Sequence, residues 1–157
     1  GDLLVSERAP RPTRPTRAEY PHLVPLATRW MDNDIYGHVN NVTYYSYFDT
    51  VANAFMIEHG LDIQNGDIIG VIAESQCHYH REIAFPDQLE IGLRVGRLGT
   101  SAVTWELAIF REDDPEAAAH GHFVHVLVGR ESRRPVPIPD RLRTAMASIL
   151  GSAVTGE

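Results

Sequence analysis

The feature that most constrains the fold is one amphipathic helix pattern followed almost entirely by strand patterns. A helix is predicted over residues 43–59, where apolar side chains recur at the helical period. These side chains are Tyr44, Phe48, Val51 and Phe55. Strand patterns then cover residues 68–83, 88–96, 101–111 and 117–130. A lone helix can bury its apolar stripe only if a sheet curls around it, because each element must cover its apolar side.

The remaining patterns complete this arrangement. Residues 22–30 predict a first strand, which Pro25 confines to a sheet edge. A proline cluster ends the sheet, and Asp140 is placed to cap a closing helix over residues 140–150. The sequence therefore predicts an α+β fold in which a curved antiparallel sheet wraps one long central helix, the hotdog architecture. The open edges of such a sheet favour a homo-oligomer.

Length and composition indicate a single globular domain. The chain has 157 residues and is 43% hydrophobic, which suits one core. We expect residues 1–19 to form a disordered arm, residues 20–150 the domain and residues 151–157 a flexible tail. The formal net charge of −7 argues against nucleic-acid binding, which needs a basic face. A single cysteine, with no apolar leader and no membrane-length apolar run, predicts a soluble cytoplasmic protein.

The polar loop before the long helix carries the pattern suited to chemistry. It runs from Asp32 to Asn41 and reads DNDIYGHVNN. Asn40 or Asn41 is placed to cap the helix, and Gly60 to end it. A helix start offers unpaired N–H groups and a positive dipole end, which stabilise a developing negative charge. A carboxylate beside such an oxyanion hole is the minimum that acyl-transfer hydrolysis needs. The loop also looks like the start of a calcium site, but residues 43–45 supply no Glu to complete it.

Three motifs carry a resemblance to a known family. Residues 32–48 have the pattern D-x-D-x-x-G-H-V-N-N-x-x-Y-x-x-x-F. FPD at residues 85–87 is followed by LEI, and GRLGTS occupies residues 96–101. Over residues 22–148 the chain resembles the hydroxybenzoyl-CoA thioesterase-like family of hotdog acyl-CoA thioesterases. The resemblance implies hydrolysis of an acyl or aroyl thioester to free acid and CoA, with no cofactor and no metal. It also implies a homodimer or dimer of dimers whose subunits share the substrate pocket.

The resemblance assigns roles to individual residues. It implies that Asp34, the second Asp of the D-x-D pattern, is the catalytic carboxylate, acting either as a nucleophile or as a general base. It implies that the backbone N–H of Asn41 is the oxyanion donor. It places the nucleotide end of CoA near the turn that contains Arg97 and Ser101.

Several neighbours of this loop are further candidates. Tyr36, Gly37 and Tyr44 are candidates for contacting the acyl group, although the helical spacing of Tyr44 also suits core packing. His38 is a candidate either for a hydrogen bond to Asp34 or the substrate, or for holding the turn through a backbone carbonyl.

Two His-x-His pairs and one cysteine lie outside the motif. His78 with His80, and His120 with His122, fit part of a metal site, but no supporting ligand motif accompanies them. We therefore expect solvated or interfacial histidines. We expect Cys77 to be a buried packing residue, because its strand neighbour His78 points to the opposite face.

Other functions remain as alternatives. A hotdog module could bind acyl-CoA without turning it over. A related hydratase of enoyl thioesters would need a different Asp–His helix motif, which the sequence lacks. The acyl group is open, and so is the carrier, although the net-negative chain would repel an acidic acyl-carrier protein and so favours CoA.

Overall fold

A computed structural model describes residues 13–151, which form one five-stranded sheet and two α-helices. The elements are β1 (His22–Ala27), α1 (Asn41–Glu58), β2 (Ile68–Tyr79), β3 (Gln88–Leu98), β4 (Ala102–Arg111), β5 (Ala119–Gly129) and α2 (Asp140–Ser148). Short 3-10 turns at Arg17–Glu19 and Trp30–Asp32 precede β1 and α1. None of the helices within the described range is long and apolar enough to cross a membrane.

The sheet is antiparallel throughout, in the order β1-β3-β4-β5-β2. The edges are therefore β1, which carries Pro25 as predicted, and β2. Register shifts lie between Val95 and Arg97 on β3 and between Ile72 and Glu74 on β2. Bulges of this kind bend a strand and increase its twist, which helps the sheet to curl.

The core lies between α1 and the inner face of the sheet. Phe48 and Phe55 are buried on the apolar stripe of α1. The Phe48 ring lies 5.8 Å from that of Phe123, and the Phe55 ring lies 5.5 Å from that of Trp105, measured between centroids. Burying each such side chain contributes about 1.5–3 kcal/mol. A single long helix covered by a curved antiparallel sheet confirms the predicted α+β hotdog fold.

Element ends differ from the prediction where local hydrogen bonds intervene. The strand predicted over residues 68–83 ends at Tyr79, because the N–H groups of His80 and Arg81 both donate to the carbonyl of Ala118. The predicted cap of the closing helix is wrong. Pro139 is the N-cap residue there, and Asp140 is the first helical residue with no capping hydrogen bond from its side chain.

The basic segment before β1 is attached to the domain from Arg14 onward. Arg17 donates through Nε to Glu90 at 2.6 Å and through its other nitrogens to the carbonyls of Arg111 and Asp114, each at 2.7 Å. Arg14 pairs with Asp114 at 3.1 Å. This differs from the disordered arm expected over residues 1–19, because the arginines pair with Glu90 on β3 and with Asp114 in the turn between β4 and β5. The rest of the predicted arm, residues 1–12, and residues 152–157 of the predicted tail lie outside the described residues.

Candidate active site

The loop between the 3-10 turn and α1 is closed on itself. The N–H of Asp34 donates to the carbonyl of His38 at 2.8 Å, and the N–H of Gly37 donates to the carbonyl of Asp34 at 3.1 Å. Gly37 has φ +83°, in the left-handed region that side chains rarely adopt. This position therefore requires glycine for its backbone conformation.

Two further bonds hold this loop on the segment between β2 and β3. The N–H of Val39 donates to the carbonyl of Ile83 at 2.7 Å, and the side-chain oxygen of Asn33 accepts from the N–H of Phe85 at 3.0 Å. The loop thus has a fixed position at the end of the sheet where β3 begins.

The carboxylate of Asp34 is oriented by the loop backbone. Its Oδ1 accepts the N–H of Tyr36 at 2.8 Å and lies 3.4 Å from the backbone nitrogen of His38. Within residues 13–151, no group donates a hydrogen bond to the other oxygen, Oδ2. One oxygen therefore holds the side chain in place while the second is available to a reacting group.

The first turn of α1 leaves one backbone donor open. The side chain of Asn40 accepts the N–H of Val42 at 2.9 Å, and its carbonyl accepts the N–H of Thr43 at 2.8 Å. The predicted cap is therefore Asn40. The N–H of Asn41 has no acceptor among the described residues. An unpaired N–H at the positive end of an 18-residue helix is suited to an oxyanion.

These groups line one cavity of about 410 Å³. Its wall contains five of the predicted site residues, together with Val39 and the segment that follows β2. The five are Asp34, Tyr36, His38, Asn41 and Tyr44, and the segment is residues 79–82. The structure thus brings the carboxylate, the open N–H and the aromatic candidates together. Gly37 shapes the loop and is not part of this wall.

The aromatic candidates occupy different environments. Tyr44 is buried and its ring meets that of Tyr79 edge to face, with centroids 5.0 Å apart. Burial raises the pKa of Tyr44 to about 12, so its phenol is neutral and can donate a hydrogen bond. Tyr44 both packs in the core and forms part of the cavity wall. Tyr36 is 78% exposed at the cavity rim.

The imidazole of His38 is paired with Glu82 and not with Asp34. Its Nε2 lies 3.1 Å from a carboxylate oxygen of Glu82, beyond the end of β2. Neither predicted ring contact, with Asp34 or with a backbone carbonyl, is present among the described residues. The Glu82 partner was not identifiable from sequence, because the two residues are brought together only by the loop's attachment to the sheet.

Arg97 and Ser101 lie at the other end of the sheet. β3 begins at Gln88 beside the loop, so Arg97 is roughly 30 Å along the strand from that end. The carbonyl of Ser101 accepts the N–H of Leu127 at 2.8 Å. Within one chain the structure does not bring these two residues together with Asp34.

Sequence reasoning missed a buried neighbour of the site, Asp32. Its carboxylate accepts the phenolic O–H of Tyr47 at 2.6 Å and a guanidinium N–H of Arg29 at 2.8 Å. Burial alone would raise the pKa of Asp32, but these hydrogen bonds outweigh it and hold the pKa below its ordinary value. The first Asp of the D-x-D pattern was the available signal, and only the second was assigned a role.

In the described part of the chain, the histidine pairs and the cysteine show no metal site and no reactive thiol, although His80 is part of the cavity wall. Nε2 of His80 is 2.9 Å from Nδ1 of His120, and His122 pairs with Glu74 at 2.7 Å. Among residues 13–151, no three His, Cys, Asp or Glu side chains are arranged to hold a metal ion. Burial raises the pKa of the Cys77 thiol to about 11, which disfavours the nucleophilic thiolate.

Known proteins share this fold, and two of them also share a substantial part of the sequence. A model of the thioesterase-like superfamily matches residues 28–146. The PA5185 protein of Pseudomonas aeruginosa strain PAO1 is 56% identical, with a TM-score of 0.87 over 89% of this chain and 99% of that one. The PA2801 protein of Pseudomonas aeruginosa is 31% identical, with a TM-score of 0.76, and the match covers 80% of this chain and 98% of that one. Slr0204, a 1,4-dihydroxy-2-naphthoyl-CoA thioesterase from Synechocystis, shares the fold with a TM-score of 0.73. It is 16% identical, and the match covers 81% of this chain and 96% of that one.

The cap on α1 predicts a specific stability difference. Asn40→Ala removes the acceptor of the Val42 N–H and should lower the free energy of unfolding by about 1 kcal/mol. Asn41→Ala is the matched control, because no described residue bonds its side chain, and it should leave stability nearly unchanged. Urea denaturation measures both. Equal losses in the two variants would contradict the assignment of the cap.

The half-buried His120 predicts a dependence of stability on pH. Burial, followed by the neighbouring His80 and His78, lowers the pKa of His120 to about 4. The unfolded chain binds this proton near pH 6.5 and the folded chain resists it, so stability falls as the pH drops from 6.5 towards 4. His120→Asn should make this fall shallower. NMR titration of the His120 ring should give a midpoint near pH 4, and a midpoint near 6.5 would contradict the burial argument.

Proposed function

The chain belongs to the thioesterase-like superfamily and is a thioester hydrolase, and we propose that it cleaves an acyl-CoA or aroyl-CoA thioester to free acid and CoA with Asp34 as its catalytic carboxylate. The observation that supports this most directly is that Asp34 and Asn41 line the same cavity, and that within residues 13–151 one Asp34 oxygen and the Asn41 N–H have no hydrogen-bond partner. A carboxylate and a preorganised donor are the two groups that acyl transfer requires.

In the proposed reaction the thioester carbonyl oxygen accepts the N–H of Asn41. As a tetrahedral intermediate forms, negative charge develops on that oxygen, and the helix end stabilises it. One donor of this kind lowers the barrier by about 3 kcal/mol. The intermediate collapses when the C–S bond breaks and the sulfur leaves with CoA.

Asp34 can act in either of two ways, each of which gives a balanced hydrolysis. As a nucleophile it bonds to the carbonyl carbon, expels the CoA thiolate, and is regenerated when water hydrolyses the mixed anhydride. As a general base it takes a proton from water as the water oxygen attacks, and the leaving thiolate then receives the proton. As a nucleophile the carboxylate contacts the carbonyl carbon directly, and as a general base it contacts the water that attacks this carbon. Neither role needs a metal or other cofactor.

The acyl group occupies the cavity in this proposal. Tyr44 and Tyr79 supply an aromatic wall, Tyr36 stands at the rim, and Gly37 contributes by giving the loop its turn. The net charge of −7 would repel an acidic acyl-carrier protein, which favours CoA as the carrier. The single, partly buried thiol of Cys77 suits a reducing compartment, and we place the enzyme in the cytoplasm.

We also propose that two copies share the site. Residues 71–76 of the edge strand β2 are exposed, and an edge strand presents unpaired backbone groups that can pair with a second chain. Apolar side chains are exposed around the loop as well, and the Ile35 side chain among them is 92% exposed. A second copy would cover these surfaces, in a homodimer or a dimer of dimers. Arg97 and Ser101 would then contact the nucleotide of CoA across the subunit interface.

The catalytic assignment is tested with Asp34→Asn. The amide keeps an acceptor for the Tyr36 N–H but cannot attack or accept a proton, so kcat should fall roughly 10³-fold while folding is retained. Release of free thiol from a panel of acyl-CoA and aroyl-CoA esters measures turnover.

The matched control is Asp113→Asn, which changes an exposed carboxylate in the turn between β4 and β5 and should retain full activity. Near wild-type turnover by Asp34→Asn would end the assignment. Binding of the esters by the unsubstituted protein without thiol release would identify a non-catalytic acyl-CoA-binding module instead.

The shared site predicts that a charge introduced on β2 weakens the dimer. Ile72 is 48% exposed on that strand, and Ile72→Arg should shift the protein from dimer towards monomer because it buries a charge at the interface. Ile57→Arg, at an exposed position near the end of α1, should leave the dimer intact. Sedimentation equilibrium measures the mass. A monomeric unsubstituted protein would refute the shared site.

A further inference from the structure

Asp32 is the most completely hydrogen-bonded side chain near the cavity, although it is not part of the cavity wall. It is 2% exposed and lies two residues before Asp34. Its Oδ2 accepts the O–H of Tyr47 at 2.6 Å and the backbone N–H of Arg29 at 2.9 Å. Its Oδ1 accepts two guanidinium N–H groups of Arg29, at 2.8 and 3.1 Å. Both carboxylate oxygens are thus occupied, which leaves Asp32 no free atom for chemistry.

Asp32 is joined to the start of α1 by two separate routes. Through its side chain it binds Tyr47, which is buried in the second turn of α1. Through its backbone carbonyl it accepts the N–H of Asn40, the cap residue, at 3.0 Å. One residue therefore connects the chain immediately before Asp34 to the helix end that carries the Asn41 N–H.

The other attachments of the loop lead elsewhere. Asn33 and Val39 bind the segment at residues 83–85, which fixes the loop on the sheet and not on the helix. The bond from the N–H of Asp34 to the carbonyl of His38 holds the shape of the loop, and the two bonds of Asp32 to the helix region set how the loop sits relative to α1. The separation between the carboxylate of Asp34 and the N–H of Asn41 therefore depends in part on Asp32. A misplacement of about 1 Å between reacting groups can cost a hundredfold in rate.

We propose that Asp32 and Tyr47 are positioning residues, which hold Asp34 at the distance from the Asn41 N–H that the reaction requires. This inference rests on the proposed function, because it assumes that Asp34 and Asn41 act on one carbonyl group. The two Asp residues of the D-x-D pattern then have separate tasks: Asp32 fixes the geometry, and Asp34 performs the chemistry.

Tyr47→Phe tests the inference with a small change. It removes only the hydroxyl that donates to Asp32, while the ring stays in the core and Arg29 still holds the carboxylate. The loop should become less well placed relative to α1, so kcat should fall about tenfold while KM for the acyl-CoA ester changes by less than about twofold. Asp32→Ala should show a larger loss of kcat if it folds, but the inference does not depend on that variant.

A buried hydrogen bond far from the loop supplies the matched control. His125 accepts the indole N–H of Trp105 at 2.8 Å, and both side chains are buried. His125→Leu removes this acceptor and should lower the melting temperature at least as much as Tyr47→Phe does, yet leave kcat within about twofold of the unsubstituted enzyme. A purely structural role for Tyr47 would instead make the two variants alike in kcat at equal loss of stability.

The outcomes separate this inference from the proposed function. Loss of turnover in Asp34→Asn together with unchanged kcat in Tyr47→Phe would overturn only the positioning role. Full turnover in Asp34→Asn would overturn the proposed function itself. An equal loss of kcat in His125→Leu and Tyr47→Phe would also overturn the positioning role, because general destabilisation would then explain both.

Discussion

Burial of the α1 stripe beneath the sheet is the constraint on which the site depends. Phe48 and Phe55 meet Phe123 and Trp105, so α1 has one position relative to the strands. Its first turn consequently stands at the sheet end where the chain passes from β2 to β3. Asn40 caps the turn without using the N–H of Asn41, which leaves a donor at the positive helix end. Core packing thereby sets where an oxyanion can be stabilised.

The loop before α1 shows how the environment distinguishes two identical side chains. Asp32 is buried, and both of its oxygens are bound by Arg29 and Tyr47. Asp34 lies on the cavity wall with one oxygen held by the N–H of Tyr36 and the other without a donor in the described chain. A fully bonded carboxylate stabilises local structure, and a partly bonded one beside a cavity is available to a substrate.

Much of this arrangement follows from periodicity, which a sequence displays directly. The helical stripe predicts α1, Gly60 stands in the left-handed conformation just beyond its end, and the alternation of Val103 and Trp105 predicts the buried face of β4. Contacts between distant residues are not visible in this way. The bond from Tyr47 to Asp32 and that from Arg17 to Glu90 depend on how elements meet in three dimensions. Periodicity therefore predicts the elements and the loop but not the bonds that position its carboxylates.

The most direct test of the central claim is a crystal structure of the Asp34→Asn variant with an intact acyl-CoA ester bound. The account predicts that the thioester carbonyl oxygen lies about 2.7–3.1 Å from the backbone nitrogen of Asn41. It also predicts that the carbonyl carbon faces the side chain at position 34, either about 3–3.5 Å from it or separated from it by one water. A thioester bound with its carbonyl directed away from the start of α1 would contradict the account.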